Sequence, residues 1–154
     1  MARRRGDLPE VSVAPELRNR LAQGHPWVYA DQVRGGGALA SGSWVRVRCG
    51  SWSGVGLWDA QSAIAVRMFA RNAPPDAQWL RERVEDAWLL RGPLRQQNTT
   101  AYRWLYGESD GVPGIVVDLY GQYAIVQTYA QSVATLVPWL VAPLRASASL
   151  QGIV

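Results

Sequence analysis

Apolar and polar residues alternate along several short segments in the first half of the chain. Residues 44–49 place two valines and a cysteine on one side of a predicted strand, and Arg46 and Arg48 on the other. Residues 55–58 and 63–69 are predicted to be further strands, separated by turns rich in Gly and Ser. Short strands at this spacing are typical of a small, highly curved barrel.

Glycines mark the interruptions of this pattern. Residues 50–54 are predicted to be a turn, and Gly56 is predicted to mark a bulge or a tight bend within the strand that follows. Residues 35–37 are three glycines in a turn-rich loop. No helix with Lys-Ser/Thr follows that loop, so we interpret it as a flexible connection and not as a phosphate-binding loop.

Two aromatic residues near the start of the chain allow two interpretations. Leu17 and Leu21 predict a short helix that ends at Gly24, and a predicted strand then carries Trp27 and Tyr29 on one side. The favoured interpretation is that these rings fill the barrel core. The alternative is that they form a stacking surface for an unpaired base.

A double proline in residues 71–75 ends the strand pattern and predicts a domain boundary. Asp76 is a candidate N-cap for the helix predicted over residues 78–91, which carries one apolar stripe and ends at Gly92-Pro93. A strand is predicted over residues 101–106.

The densest pattern lies in residues 108–121. Gly111 and Gly114 follow Asp and Pro in consecutive turns, and a β-branched run then predicts a hairpin with residues 122–128. Three acidic residues surround the turn, and we expect them to fix it through side-chain to backbone hydrogen bonds instead of performing chemistry; they are Glu108, Asp110 and Asp118.

The last segment is predicted to contain a helix and the start of a strand. Ser132 is a candidate cap for that helix, which Pro138 must either kink or delay. Residues 150–154 then have the pattern of a strand.

The composition narrows the class of protein. The chain of 154 residues is 48% hydrophobic and 18% charged, as expected for a globular protein. It lacks an apolar run of about 20 residues that could span a membrane, and no secretory signal follows the arginines at positions 3–5. A single cysteine, Cys49, and a single histidine exclude an internal disulfide and a zinc cluster. We therefore expect a cytoplasmic protein without membrane or metal partners.

Charge is distributed unevenly. Residues 1–75 contain ten arginines and five acids, whereas residues 76–154 contain six arginines and seven acids, and lysine is absent. Residues 1–10 are expected to form a basic, mobile arm. Arginine suits contact with phosphates and bases, so the basic half indicates a nucleic-acid partner.

Four segments together resemble one protein family. Residues 24–29, 102–103, 108–114 and 118–121 are similar to the N-terminal half of the ribosomal-RNA large-subunit methyltransferase I family. The resemblance implies S-adenosylmethionine-dependent methylation of cytosine carbon 5 in ribosomal RNA. It also implies an α+β chain, with a PUA-type RNA-binding β pseudo-barrel over residues 1–73. A mixed strand-helix-strand domain with an antiparallel hairpin would occupy residues 74–154.

The chain also departs from that family. It has no glycine-rich cofactor loop, and its one cysteine lies in the barrel pattern, where it is expected to be a core residue and not the nucleophile. We therefore expect no catalytic domain, no bound S-adenosylmethionine and RNA binding without catalysis. The alternative is a truncated or stand-alone protein-interaction module with no nucleic-acid role, in which the eight tryptophans provide anchors for an interface. A missing catalytic domain would also expose the surface that it normally covers, which favours self-association.

No catalytic, cofactor-binding or metal-binding residues are predicted from the sequence. The candidate RNA contacts are Arg46, Arg48, His25, Trp27, Tyr29, Arg67, Arg18 and Arg20. The residues of the turn that carries the family resemblance are Glu108, Asp110, Gly111, Pro113, Gly114 and Asp118.

Overall fold

A computed structural model describes residues 7–154, which fall into two compact units, one ending at Pro74 and the other beginning at Pro75. Residues 1–6 of the predicted basic arm lie outside this range. Within the described part, none of the helices has the length and apolar character needed to cross a membrane.

The first unit is built around one six-stranded sheet. Its elements are β1 (Glu10–Val13), α1 (Arg18–Ala22), β2 (Trp27–Tyr29), β3 (Val33–Arg34), β4 (Trp44–Cys49), β5 (Trp52–Trp58) and β6 (Ile64–Ala70), with 3-10 turns at Pro15–Leu17 and Ala30–Gln32. The strand order is β2-β6-β5-β4-β1-β3; β1 runs parallel to β4 and the other pairs are antiparallel. The two edge strands are joined by a single 3-10 turn, so the sheet curls into a nearly closed barrel.

The barrel interior follows the alternation in the sequence. Val45, Val47 and Cys49 are buried, whereas Arg46 and Arg48 project from the opposite side of β4. The apolar cluster inside the barrel joins these residues to the buried valines of β1, β2 and β6. The predicted basic outer face of β4 is therefore confirmed.

The glycines in and before β5 show one correct prediction and one that is correct in part. The pairing of β5 with β6 shifts register between Val55 and Gly56, which confirms the predicted bulge. A Cβ atom at Gly56 would lie 2.5 Å from the carbonyl oxygen of Arg67. The turn predicted over residues 50–54 is confined to residues 50–51, because β5 already begins at Trp52, which pairs with Cys49 and buries its indole in the barrel.

The second unit has two main helices and a four-stranded sheet. Its elements are α2 (Ala77–Leu90), α3 (Gly92–Gln96), β7 (Ala101–Tyr106), β8 (Ile115–Tyr120), β9 (Tyr123–Thr128), α4 (Val137–Ser147) and β10 (Gly152–Ile153), with 3-10 turns at Gly107–Asp110 and Ser132–Leu136. The strand order is β10-β9-β8-β7, and β8 and β9 form the predicted antiparallel hairpin. The predicted α+β class, a barrel followed by a mixed domain, is confirmed.

Helix α2 packs its apolar stripe into the core of this unit. Asp76 caps the helix as predicted, with its Oδ1 accepting a hydrogen bond from the N–H of Trp79 at 2.9 Å. Val84 is buried, and its carbonyl oxygen accepts a hydrogen bond from Nε1 of the buried Trp104 at 3.2 Å.

The predicted helix cap at Ser132 is wrong. Ser132 is the first residue of a 3-10 helix whose N-cap is Gln131, and α4 begins only at Val137. Pro138 falls in the first turn of α4, where its missing N–H costs no intrahelical hydrogen bond. The proline therefore delays the start of the α-helix, which is one of the two predicted outcomes.

Candidate nucleic-acid interface

Strand β2 places its two aromatic side chains outside the barrel. Val28 is fully buried, whereas Trp27 is half-buried and Tyr29 is 37% exposed. Because side chains alternate across a strand, the valine that fills the core forces both rings onto the other face. The interpretation that these rings fill the barrel core is therefore wrong, and the stacking alternative remains a prediction.

The end of α1 positions the only histidine. Gly24 adopts φ of 91° and its N–H donates to Leu21, while the N–H of His25 donates to the carbonyl of Arg20 at 3.0 Å. This pair of hydrogen bonds is a Schellman motif, which confirms the predicted helix end at Gly24 and explains the need for glycine there. The motif turns the chain back towards the last turn of α1, and His25 therefore lies beside Arg20.

Arg20, His25 and Trp27 form one surface cluster. Arg20 Nη2 lies 3.3 Å from His25 Nε2, and the His25 and Trp27 rings meet edge to face with centroids 6.1 Å apart. A guanidinium can only donate, so this hydrogen bond requires a neutral imidazole with Nε2 as the acceptor. Partial burial, followed by the charge of Arg20, lowers the pKa of His25 in agreement with that geometry. Arg18 is exposed one half-turn earlier on α1.

A second cation lies on an aromatic ring at the end of β6. The Arg71 guanidinium is centred 4.6 Å from the Trp52 ring, and Arg71 is exposed. Neither residue is among the predicted contacts, because the sequence pattern places Arg71 in the linker and Trp52 in a turn. Continued inward alternation from residue 52 could have located the tryptophan, but a lone arginine after a strand carries no such signal.

The two arginines of β4 are already engaged by the protein. Arg48 binds Glu10 Oε1 through Nη2 at 2.7 Å and Nε at 3.1 Å, and Arg46 donates to the carbonyl of Asn72 at 2.8 Å. The hydrogen bond between Arg48 and Glu10 raises the pKa of Arg48 and lowers the pKa of Glu10. Part of the predicted basic face is thus neutralised within the barrel.

Arg67 does not belong to the surface. Its side chain is 6% exposed and its Nη1 donates to Asp59 Oδ2 at 2.7 Å, with Asp59 4% exposed. The sequence pattern places Arg67 on the outer face of β6, as expected for a charged residue. It is buried instead, because the ion pair with Asp59 stabilises its guanidinium there. Because Arg67 is buried and paired with Asp59, it is not available for the predicted RNA contact.

Cys49 is a core residue, as predicted. Its side chain is fully buried and Sγ donates to the carbonyl of Ala14 at 3.3 Å. Burial raises the pKa of the Cys49 thiol, which opposes formation of a thiolate.

The turn that carries the family resemblance is held by side-chain hydrogen bonds. Gly111 and Gly114 adopt φ of 75° and 78°, as the turn chemistry predicts. Asp110 Oδ2 accepts a hydrogen bond from the N–H of Tyr106 at 2.6 Å, and both Asp110 oxygens bind Arg91 at 2.8 and 2.7 Å. The predicted backbone-fixing role is therefore confirmed for Asp110.

The other residues of that turn have different surroundings from those of Asp110. Asp118 binds the Arg103 guanidinium at 2.8 and 3.1 Å across the β7–β8 pair, so its observed partner is a side chain and not the backbone. Pro113 is buried and Glu108 is exposed. Across residues 7–154, no group of three or more His, Cys, Asp or Glu side chains is arranged to hold a metal ion.

The barrel defines the class of this domain, since residues 11–71 match the PUA-like domain family. Ribosomal RNA large subunit methyltransferase I of Alteromonas mediterranea is 36% identical to this chain over 124 residues, which cover 77% of the chain and 31% of that protein. The same enzyme of Shewanella frigidimarina is 33% identical over 124 residues, covering 76% and 31%. The resemblance predicted from the motifs is confirmed, and the chain spans about a third of the length of these relatives.

Two solved structures share the fold. A putative SAM-dependent methyltransferase from Streptococcus mutans superimposes with a TM-score of 0.78 at 15% identity, covering 91% of this chain and 38% of that one. A putative methyltransferase complexed with SAH gives a TM-score of 0.77 at 15% identity, covering 91% and 37%. At this identity the likeness concerns the fold alone.

Proposed function

We propose that this chain binds ribosomal RNA through the barrel surface that runs from α1 over β2 to the end of β6. The observation that carries the proposal is that exposed arginines lie against aromatic rings there: Arg20 is hydrogen-bonded to His25, whose ring contacts Trp27, and Arg71 lies over Trp52. Arginines and rings together bind phosphates and unstacked bases. The PUA-like match and the relatives named as ribosomal RNA methyltransferases support the same partner, which would place the protein in the cytoplasm.

The residues of this surface would have different roles in RNA binding. Arg18, Arg20 and Arg71 would hold phosphates, because they are exposed and lie outside the barrel ion pairs of Arg48 and Arg67. His25, Trp27 and Tyr29 would contact bases. Arg46 and Arg48 would contribute less, since each already has a protein partner.

A filter-binding titration against ribosomal RNA fragments at several salt concentrations tests this surface. The double substitution Arg20→Ala and Arg71→Ala should weaken binding to all sequences alike and reduce the salt slope by about two, one for each lost phosphate contact. The matched control, Arg81→Ala with Arg145→Ala, removes two exposed arginines of the second unit. Equal affinities for the two double variants would contradict the assignment.

We propose further that this chain alone does not methylate RNA. The cytosine-C5 chemistry implied by the resemblance needs a thiolate that attacks carbon 6, and Cys49 is buried with a raised thiol pKa. Incubation with S-adenosylmethionine and a ribosomal RNA fragment should give no methylated product. Methyl transfer by the purified chain would overturn this part of the proposal.

We propose in addition that the chain is monomeric, against the predicted alternative of self-association. All eight tryptophans lie in the described part of the chain, and each is buried or half-buried. They therefore provide no fully exposed anchor for an interface. Light scattering of the purified chain should show a monomer.

A further inference from the structure

A cavity of about 190 Å³ opens beside the proposed RNA surface. It is bounded by the end of α1, by Trp52, and by the last residues of β6. His25 and Arg71 both line it, so the imidazole that Arg20 hydrogen-bonds and the guanidinium that lies over Trp52 meet at one recess. Pockets for drug-sized ligands are larger, roughly 300–1,000 Å³, so this volume suits a single flat ring system.

The lining combines apolar, aromatic and polar groups. Leu21 and Met68 contribute apolar surface, Trp52 and Phe69 contribute aromatic surface, and the neutral imidazole of His25 contributes a polar edge. Such a mixture matches a nucleobase, which has apolar faces and polar edges.

Two arginines provide positive charge beside the cavity. The Arg71 guanidinium rests on Trp52, and Arg20 is held beside His25, so both cations are positioned before a ligand arrives. Of the two charges, Arg71 lines the cavity itself. A phosphate attached to a base in the cavity would therefore meet a cation at the rim.

We propose that this cavity binds one unpaired nucleotide of the RNA, with its base inside and its phosphate at Arg71 and Arg20. The proposal rests on the proposed RNA binding and adds that the barrel selects RNA with an extrahelical base. Contact with phosphates alone would give no such selection, because a paired helix presents its backbone equally well.

Three RNA hairpins of identical length test the selection. One contains a single-nucleotide bulge, made with each of the four bases in turn; the second has an abasic residue at the bulge; the third is fully paired. We expect at least one bulged hairpin to bind roughly tenfold more tightly than the abasic one, the effect of one lost base-stacking contact. Equal binding of bulged and abasic hairpins would overturn the cavity while leaving RNA binding intact. Failure of all three to bind would overturn both proposals.

The lone histidine provides a direct readout of the cavity. Because the chain has one His, the imidazole signals in the NMR spectrum of tag-free protein belong to His25 without further assignment. The bulged hairpin should shift these signals, and the abasic hairpin should shift them less. Titration with the four nucleoside monophosphates distinguishes a nucleotide within RNA from a free nucleotide. If RNA shifts the His25 signals and the monophosphates do not, the cavity binds a nucleotide that is part of RNA. Unchanged His25 signals at saturating bulged RNA would overturn the proposal.

A variant that fills the cavity completes the test. Ala70 lines the cavity, so Ala70→Leu should abolish the preference for the bulged over the abasic hairpin while keeping the affinity for the paired one. The matched control is Ala60→Leu, an exposed position in the β5–β6 turn. If Ala70→Leu retains the full preference, the cavity is not the site. If Ala70→Leu does not fold, the NMR titration of the unaltered chain decides.

Discussion

The buried Arg91 of the second unit and the exposed Arg20 and Arg71 of the barrel use their guanidinium groups differently. In the second unit, Arg91 and Arg103 each bind one carboxylate through two N–H groups, and the Arg91–Asp110 pair is largely buried, with 13% and 8% exposure. In the barrel, Arg20 and Arg71 are exposed and contact aromatic rings. The ion pair of Arg91 with Asp110 holds a turn together inside the second unit. The contacts of Arg20 and Arg71 with rings leave the guanidinium charge at the surface.

This difference refines what the charge balance means. Ten arginines and five acids in residues 1–75 indicate a basic half, yet Arg48 and Arg67 of that half are bound to Glu10 and Asp59. The proposed binding surface therefore rests on which barrel arginines lie beside rings, and not on the number of arginines.

The largest effect should come from breaking the buried pair of the second unit. Asp110→Ala would leave Arg91 without its carboxylate and the N–H of Tyr106 without its acceptor. We expect a loss of about 3 kcal/mol in the free energy of unfolding, measured by urea titration. Asp86→Ala is the matched control, because the exposed Asp86–Arg83 pair should contribute less than about 0.5 kcal/mol. Similar losses for both variants would show that burial does not distinguish the two pairs.

A smaller effect, on RNA affinity, should come from the arginines of β4. Replacing Arg46 and Arg48 by Ala should weaken RNA binding roughly two- to threefold and reduce the salt slope by less than the Arg20/Arg71 double variant does. Glu10→Gln should act in the opposite direction, because it frees the charge of Arg48 from its carboxylate. Filter binding at two salt concentrations measures both. A loss from β4 as large as that from Arg20 and Arg71 would move the binding surface to β4.

The smallest effect should be a pH dependence of barrel stability. The pKa of His25 is lowered in the folded chain, so the unfolded chain takes up the proton first, near its ordinary value of 6.5. The stabilisation is complete above that value and is lost as the pH falls through the lower folded pKa. Thermal unfolding should therefore show a lower midpoint at about pH 5.5 than at about pH 7.5. His25→Gln cannot titrate and should reduce this difference; an unchanged difference would assign the effect to other groups.

Local patterns predicted much of the fold. The bulge at Gly56, the cap at Asp76 and the positive φ angles of Gly111 and Gly114 follow from turn and capping chemistry within a few residues. The prediction failed where a distant contact decided the outcome. Trp52 extends β5 into the expected turn because the barrel can bury its indole, and Arg67 leaves the surface because Asp59 pairs with it.

The sequence by itself determined the order of barrel and mixed domain, the outer position of Arg46 and Arg48, and the resemblance to ribosomal RNA methyltransferases. These features depend on strand alternation, turn residues and motifs, which are all local. Only the tertiary structure decided which arginines of the barrel are paired with carboxylates, and that Arg71, Trp52 and His25 line one cavity. The physical reason is that these outcomes depend on contacts beyond the local pattern, between residues 8 apart for Arg67 and Asp59 and 38 apart for Arg48 and Glu10.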